Sequence, residues 1–175
     1  ERIGDRLWKF GKLIEEKNPN LEDKEKTAES VGVGAVVFSA LWNNRIKDIV
    51  FSYDKVLNFD GETAPYVQYT YARSKSALRK GGDYDLNNVD FSAILDDEGY
   101  EVVKSVLTFG DSVKQAANLR EPYVLTRHIV DLAEKFNRFY IGHRIVVDEK
   151  KKKNARLLLT DVVGRTIKEG LALLG

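Results

Sequence analysis

Hydrophobic residues recur at helical spacing through most of the chain. Residues three and four apart share one face of a helix, so apolar residues at this spacing predict amphipathic helices. The two longest stretches lie in the last third, one opened by Pro122 and one following Lys150–Lys153. Their apolar stripes are Leu125, Ile129, Leu132, Ala133, Phe136, Phe139 and Tyr140 in the first, and Ala155, Leu158, Leu159, Val162, Val163, Ile167, Leu171 and Leu174 in the second. Two helices this apolar on one side must pack on something, most simply on each other and on a helix that carries Val102–Leu107, which predicts an all-α fold, a helical bundle.

Shorter stretches of the same pattern predict helices earlier in the chain. They span residues 3–14, which end at an Asn-Pro-Asn breaker, the region from Leu21 to Asn43, and the region from Thr63 to Lys80. Thr63 is a favourable N-cap, and Pro65 is tolerated in a first helical turn. The apolar face predicted for the second of these helices is Ala28, Val31, Ala35, Phe38 and Trp42.

The connecting segments are harder to assign from the pattern. Residues 48–59 half-alternate, which predicts a short strand or an extended connection, and the polar residues 81–92 predict a loop. Acidic side chains are favoured at the amino end of a helix, so Asp96, Asp97 and Glu98 indicate another helix start. We expect Gly110 to separate that helix from the next short segment. The predicted buried face of the helix that starts at Asp96 is Val102, Val103, Val106 and Leu107.

Composition excludes several classes of site. The 175 residues include no cysteine and two histidines, so disulfides, zinc–thiolate centres and multi-histidine metal sites are excluded. No apolar run approaches the ~18 residues typical of a membrane span. A chain that starts at Glu1 and lacks methionine is interpreted as a processed product or a fragment of a longer protein. Gly32-Val33-Gly34 lacks the strand context of a phosphate loop and indicates close helix packing instead.

Catalytic patterns are scarce in this sequence. It has no GxSxG elbow and no HExxH, and its acidic pairs fit helix caps and solvated faces. His128 shares the face of Leu125 and Leu132, so we expect a hydrogen-bonded histidine near the core. The residues therefore favour a binding module over an enzyme. A helical adaptor that binds a protein through its apolar stripes is the alternative.

Positive charge is concentrated towards the carboxyl end. Residues 120–175 carry twelve basic and seven acidic side chains on a chain whose net charge is +1. This imbalance indicates a polyanionic partner, with solvated surface charge as the alternative. Aromatic residues accompany the basic ones, and flat rings stack on unpaired bases while cations neutralise phosphates. Of the residues near the end of the helix after Pro122, Asn137 and Tyr140 are predicted to be exposed and Phe136 and Phe139 to be core.

The stretch 54–73, DKVLNFDGETAPYVQYTYAR, resembles the end of the catalytic region of class I arginyl-tRNA synthetases. The family pattern D-[RK]-x-L-x-F-x-G-x-T-x-P-Y-x-Q-Y-x-x-x-R is met at every specified position. Upstream, VGVGAVVFSALWNNRIKDIVF resembles the segment that joins the active site to this motif. Downstream, LREPYVLTRHIVDLAEKFNRFY and NARLLLTDVVGRTIKEGLALLG resemble the helical anticodon-binding domain. The resemblance runs from about Lys24 to Gly175, and Tyr71 stands where the family often has histidine.

The resemblance implies a division of the chain and a function. Residues 1–62 would be the tail of the catalytic region and a connector, and residues 63–175 the anticodon-binding domain. The parent enzyme would use ATP with Mg to attach arginine to its tRNA. This chain has no HIGH-type or KMSK-type sequence, so we expect it to be inactive alone and to need no cofactor itself. We expect a monomeric cytoplasmic protein, not bound to a membrane, whose partner is tRNA(Arg).

The resemblance also implies which residues contact tRNA. Gln68, Tyr69 and Arg73 would lie where the catalytic region meets the bundle, and would either contact tRNA or brace that junction. Asn137, Tyr140 and Arg144 are the predicted anticodon-loop contacts. Backbone phosphates are assigned to Arg127, Lys150, Lys151, Lys152 and Lys153.

Overall fold

A computed structural model describes residues 23–48 and 50–175, apart from the side chains at positions 24, 25 and 53. The helix predicted over residues 3–14 lies outside these residues. Seven α-helices and one 3₁₀ helix occur in the described part of the chain. They are α1 Lys24–Trp42, α2 Tyr53–Val56, α3 Ala64–Gly81, the 3₁₀ helix Phe91–Ile94, α4 Asp97–Leu107, α5 Phe109–Leu119, α6 Tyr123–Gly142 and α7 Lys150–Leu174. The predicted all-α bundle is confirmed.

Polar side chains cap the helices where the sequence predicts that they begin. Thr63 Oγ1 accepts a hydrogen bond from the Tyr66 amide at 3.3 Å, and Pro65 lies in the first turn of α3. Asp96 Oδ1 accepts from the Gly99 amide at 2.8 Å at the start of α4. Such caps satisfy amides that have no partner within the helix, and each contributes about 1 kcal/mol.

The core lies between α3, α6 and α7. Phe136 and Phe139 of α6 are fully buried, as are Val67 of α3 and Leu157 and Ile167 of α7. Each buried side chain of this size contributes about 1.5–3 kcal/mol through removal of apolar surface from water. The predicted stripe of α7 is buried at Ala155, Leu159, Val163 and Ile167 but only half-buried at Leu158 and Val162, and the buried Leu157 was missed.

Contacts between helices fix their directions. Thr70 of α3 lies beside Asn137 of α6, and Arg73 lies beside both Asn137 and Tyr140, so α3 and α6 run parallel. The helix α7 runs antiparallel to α3. A Cβ added at Gly164 would lie 2.6 Å from Ser74 Oγ, and one added at Gly81 would meet Leu157. Consequently α3 and α6 end, and α7 begins, at one end of the bundle, which we term the α6–α7 end.

The helix α1 belongs to the same core. Ala35 and Phe38 are buried in the main hydrophobic cluster, and Gly34 approaches the Gln68 side chain of α3. This contact agrees with the close packing predicted for the Gly-Val-Gly stretch. At the other end of the bundle, Thr126 Oγ1 lies 3.4 Å from the Leu41 carbonyl oxygen. The carboxyl end of α1 is thus joined to the amino end of α6.

Four local predictions were wrong. Residues 53–56, within the segment predicted as a short strand or an extended connection, form a helical turn. Leu107 is 75% exposed instead of buried, because it lies in the last turn of α4 on the side away from α6. The break between α4 and α5 falls at Thr108, not at Gly110. The lysine run forms the first turn of α7 rather than preceding it, so Lys150–Lys153 lie at a helix amino end.

Candidate nucleic-acid interface

Arg73 lies between two tyrosine rings where α3 crosses α6. Its guanidinium carbon is 5.0 Å from the ring centroid of Tyr69 and 5.2 Å from that of Tyr140. Its Nη1 donates a 2.5 Å hydrogen bond to Asn137 Oδ1, and no carboxylate among the described residues pairs with it. Cation–π contacts of this kind contribute about 0.5–1 kcal/mol each at exposed sites. Arg73 therefore braces α3 against α6 while keeping its positive charge free of an acidic partner in the described structure.

Asn137 is buried, with 7% of its surface exposed, so the prediction of an exposed side chain was wrong. Its Oδ1 accepts from Arg73, and its Nδ2 donates to Thr70 Oγ1 at 2.8 Å. Thr70 Oγ1 in turn donates to the Tyr66 carbonyl oxygen at 2.9 Å. Helical periodicity placed Asn137 beside the apolar stripe, but the crossing with α3 covers it. Its position indicates that it holds Arg73, and a direct anticodon contact stays a prediction.

Gln68 is also turned towards the helix packing. It is half-buried, and its Oε1 has no hydrogen-bond partner within the described part of the chain. Its amide nitrogen lies close to Gly34 of α1. Gln68 therefore lies at the contact of α1 with α3, where the sequence predicted a junction. Tyr69, one residue later, is 39% exposed.

Arg127 lies far from the other predicted contacts. Its guanidinium carbon is 5.6 Å from the Trp42 ring centroid and 5.0 Å from that of Tyr123. These rings belong to the carboxyl end of α1 and the amino end of α6. Arg127 is about 20 Å from the carboxyl end of α6, since a helix rises 1.5 Å per residue. The structure thus places Arg127 at the opposite end of the bundle from Arg144, and its role as a phosphate ligand stays a prediction.

The α6–α7 end gathers most of the predicted cations. Arg144 is exposed in the α6–α7 loop, residues 143–149, and Lys150–Lys153 follow in the first turn of α7. Lys153 Nζ donates to the Gly81 carbonyl oxygen at 3.3 Å, which brings the lysine run to the carboxyl end of α3. Lys152 pairs with Glu149 at 3.3 Å. The amino end of a helix macrodipole is positive and repels cations. An anion near this turn would therefore be favoured both by the lysine side chains and by the macrodipole.

Acidic side chains also face this end, and the sequence pattern missed their partners. His143 Nε2 lies 2.5 Å from Asp96 Oδ2, and its ring stacks on Phe139 with centroids 4.3 Å apart. Burial opposes ionisation of Asp96, but the Gly99 amide and His143 outweigh it and lower the pKa of that carboxyl. Arg156 Nη1 donates to the Arg144 carbonyl oxygen at 2.8 Å. A contact between residues 47 apart leaves no periodic signal, so Asp96 had been assigned only as a helix cap.

A second ionic cluster links α3, α7 and the loop between α3 and the 3₁₀ helix. Asp161 is buried on α7 and accepts from Tyr84 Oη at 2.9 Å and from Arg165 at 2.6 Å. Lys75 of α3 lies 3.8 Å away. Burial works against ionisation of Asp161, yet these hydrogen bonds and charges outweigh it and lower its pKa. Asp161 thus has a structural role, and it also neutralises part of the positive charge on this side.

His128 agrees with its prediction as a hydrogen-bonded histidine near the core. Its Nε2 lies 2.9 Å from the Ser105 carbonyl oxygen, which can only accept, so Nε2 carries the proton. Its Nδ1 then accepts from Ser112 Oγ at 2.8 Å. Burial lowers the pKa of His128. The arrangement attaches α4 and α5 to α6 and leaves the ring neutral at pH 7.

The described residues include no group of three or more acidic or histidine side chains that could hold a metal ion. They include no helix that is both long and apolar enough to cross a membrane. Two open grooves lie at the side of α1, of about 420 and 460 Å³. Neither is lined by the basic residues of the α6–α7 end.

Comparisons with known proteins agree with this arrangement. An arginine–tRNA ligase of Halothermothrix orenii is 47% identical over 170 residues, which cover 97% of this chain and 30% of the relative. The ligase of Alkaliphilus metalliredigens is 45% identical over the whole chain and 31% of its own length. The chain therefore spans about three tenths of the curated relatives that it matches. Nothing in these matches favours the protein-interaction adaptor.

Solved structures of arginyl-tRNA synthetases share the fold of this chain. The Thermus thermophilus arginyl-tRNA synthetase superposes with a TM-score of 0.89 at 34% identity, over 98% of this chain and 30% of that one. The Plasmodium falciparum arginyl-tRNA synthetase has the same fold, with a TM-score of 0.81 at 24% identity over 98% of this chain and 31% of that one. The pattern that defines the DALR anticodon binding domain matches residues 67–175. The resemblance found in the sequence is confirmed, and the chain belongs to the DALR anticodon binding domain family.

Proposed function

We propose that this chain is the anticodon-binding part of an arginyl-tRNA synthetase, that it binds the anticodon arm of tRNA(Arg), and that it makes and breaks no bond itself. The observation that carries the proposal is the gathering of Arg144 and Lys150–Lys153 at the α6–α7 end of a bundle of the DALR family. Glu149, which pairs with Lys152, and Asp90, which lies near Lys151 and Lys152, offset part of this charge. Arg144 is exposed there, and the lysine run lies at the amino end of α7. Arg73 of α3 and Tyr140 of α6 contact each other before their helices reach this end. Cations of this kind neutralise phosphates, and a tyrosine ring can stack on an unpaired base. Tyr140 is half-buried rather than exposed, because its ring packs beside Phe136 and the Arg73 guanidinium lies over it, so a base would reach only the exposed part of the ring.

The parent enzyme would use ATP with Mg to attach arginine to the tRNA 3′ end. The chain contains no HIGH-type or KMSK-type sequence, the motifs that the family resemblance links to ATP binding and arginine activation. We therefore assign ATP, Mg and aminoacylation to polypeptide outside this chain. We further propose that the protein is cytoplasmic and monomeric.

Contacts within the site divide the proposed roles. Tyr140 and Arg144 are proposed as anticodon-loop contacts and Lys150–Lys153 as phosphate contacts. Arg73 and Tyr69 form a ring-and-cation pair that either touches the tRNA or braces the helices. Arg127, at the other end, reaches the same RNA only if the RNA extends along α6.

Salt-dependent binding tests the proposal. Affinity for a tRNA(Arg) transcript and for a non-cognate transcript should be measured by fluorescence anisotropy between 50 and 300 mM salt, a range chosen because phosphate contacts give a linear log–log dependence. We expect preference for tRNA(Arg), with a slope of about −0.7 to −0.9 per phosphate contact. Binding without preference and without a salt slope would contradict the proposal.

Arg144→Ala gives the matched single-site test. Arg144 is exposed and its side chain makes no ion pair with described residues, so the melting temperature should stay within about 1 °C, as is usual for surface changes. Affinity should fall about tenfold, the size of one lost charge-assisted contact. Lys168→Ala, which removes an exposed charge near the far end of α7, is the control and should bind like the parent chain. A loss of stability that matches the loss of affinity would make Arg144 a structural residue.

A further inference from the structure

The backbone around Arg144 is held on both sides. The His143 ring stacks on Phe139 and contacts Asp96, at the amino end of α4. The side chain of Ile145 is buried, with 5% of its surface exposed. Arg144 itself is exposed between these two anchored neighbours. The side chain that projects into solvent therefore starts from a fixed point in the α6–α7 loop.

Arg156 of α7 also holds the backbone of this loop. It lies in the second turn of α7, and its Nη1 donates to the Arg144 carbonyl oxygen at 2.8 Å. Its Nε is buried and has no hydrogen-bond partner among the described residues, so the guanidinium is inserted beneath the loop and is only partly exposed. Its charge also acts on Asp96 at the start of α4 and helps to lower the pKa of that carboxyl. Its hydrogen bond fixes the peptide plane that follows Arg144.

We propose that Arg156 is a positioning residue that directs the Arg144 side chain towards a phosphate of the bound nucleic acid. This inference rests on the proposed function. With the Arg144 peptide held, the exposed guanidinium loses less conformational freedom when it binds, and preorganisation of this kind improves affinity without a new contact. Arg156 contributes to binding only through Arg144. Its removal should therefore cost affinity only while Arg144 is present.

A double-mutant cycle tests this coupling. Affinity for the tRNA(Arg) transcript is measured for the parent chain, Arg144→Ala, Arg156→Ala and the double variant, with Lys168→Ala as the charge-matched control on the same helix. We expect Arg144→Ala to weaken binding about tenfold and Arg156→Ala about three- to tenfold, and each to lower the salt slope by about one ion. The double variant should bind no more weakly than Arg144→Ala.

Several results would overturn the inference. Effects that multiply in the double variant would make Arg156 an independent contact, and an Arg156→Ala variant that binds like the parent would remove its role. If Arg144→Ala has no effect while the parent chain binds with a salt slope, the inference fails but the proposed function stands. If the parent chain does not bind, both fail. Should Arg156→Ala melt below the assay temperature, Arg156→Lys, which keeps the charge but loses the planar fork, enters the same cycle.

Discussion

Replacing Asn137 by alanine removes two hydrogen bonds that join α3 to α6. Asn137 Oδ1 accepts from the Arg73 guanidinium at 2.5 Å, and Nδ2 donates to Thr70 Oγ1 at 2.8 Å. After the substitution, Arg73 keeps its two tyrosine rings but loses the acceptor that orients it. Thr70 keeps its bond to the Tyr66 carbonyl oxygen. The buried site is thus left with unused donor and acceptor capacity, which is where the cost arises.

The expected loss follows from these two bonds. A hydrogen bond to a charged group contributes about 1.5–3 kcal/mol and a neutral one about 0.5–1.5 kcal/mol. Because Arg73 is half-exposed, water replaces part of the first contribution, and we expect a loss of about 2–3 kcal/mol in the free energy of unfolding. For a domain of this size, about 2–4 °C per kcal/mol gives a fall in melting temperature of about 5–10 °C.

Urea unfolding followed by circular dichroism measures this loss directly, with an unchanged m-value as the sign that the unfolded state is unaffected. Asn118→Ala is the matched control, because Asn118 is exposed on α5 and its replacement should change stability by less than about 0.5 kcal/mol. If Asn137→Ala is as stable as the control while its affinity for tRNA(Arg) falls, the side chain faces the RNA. The assignment of Asn137 to the helix crossing would then be wrong.

Substitutions at three further positions, one of them with a matched control, test the packing and the buried titratable groups. Gly164→Ala should destabilise the bundle by about 1–3 kcal/mol, because its Cβ would lie 2.6 Å from Ser74 Oγ, whereas Gly110→Ala in open space should be neutral or slightly stabilising; urea unfolding of both decides this. Asp161→Asn should be less stable than the parent chain at pH 7. Since the pKa of Asp161 is lowered on folding, the difference should vanish as pH falls through its folded value, and equal stability at all pH values would contradict its role. His128 has a pKa lowered by burial, so the folded state binds fewer protons than the unfolded state and stability should fall as pH drops below about 6.5. His128→Gln should lose that dependence, and NMR of the parent chain at pH 7 should show the neutral ring with its proton on Nε2.

Much of the fold could be predicted because helices are local. The apolar spacing of α6 and α7 is set by residues three and four apart, and the caps at Thr63 and Asp96 act within one turn. Those elements were predicted correctly to within a few residues. The predictions failed where the pattern is short or polar, as at residues 53–56, where four residues carry no useful period. Leu107 failed because apolar character does not specify whether a neighbouring helix covers the last turn.

The candidate site was less predictable than the fold. Sequence order placed Asn137, Tyr140 and Arg144 together, but it gave no sign that Asn137 would be covered by Thr70 and Arg73 from a helix more than sixty residues earlier. Spacing likewise did not show that Arg127 lies far from the other predicted contacts. Its guanidinium lies near two aromatic rings at the opposite end of the bundle.

By itself, the sequence determined the all-α class, the principal helices and the family, because helical period, caps and the motif 54–73 are written in neighbouring residues. Only the tertiary structure decided which polar side chains face solvent and which hold helices together. The parallel crossing of α3 and α6 buries Asn137, and the antiparallel return of α7 brings Arg156 beneath Arg144. Such contacts join residues distant in the chain, and their hydrogen bonds depend on helix direction and separation, which no local pattern encodes.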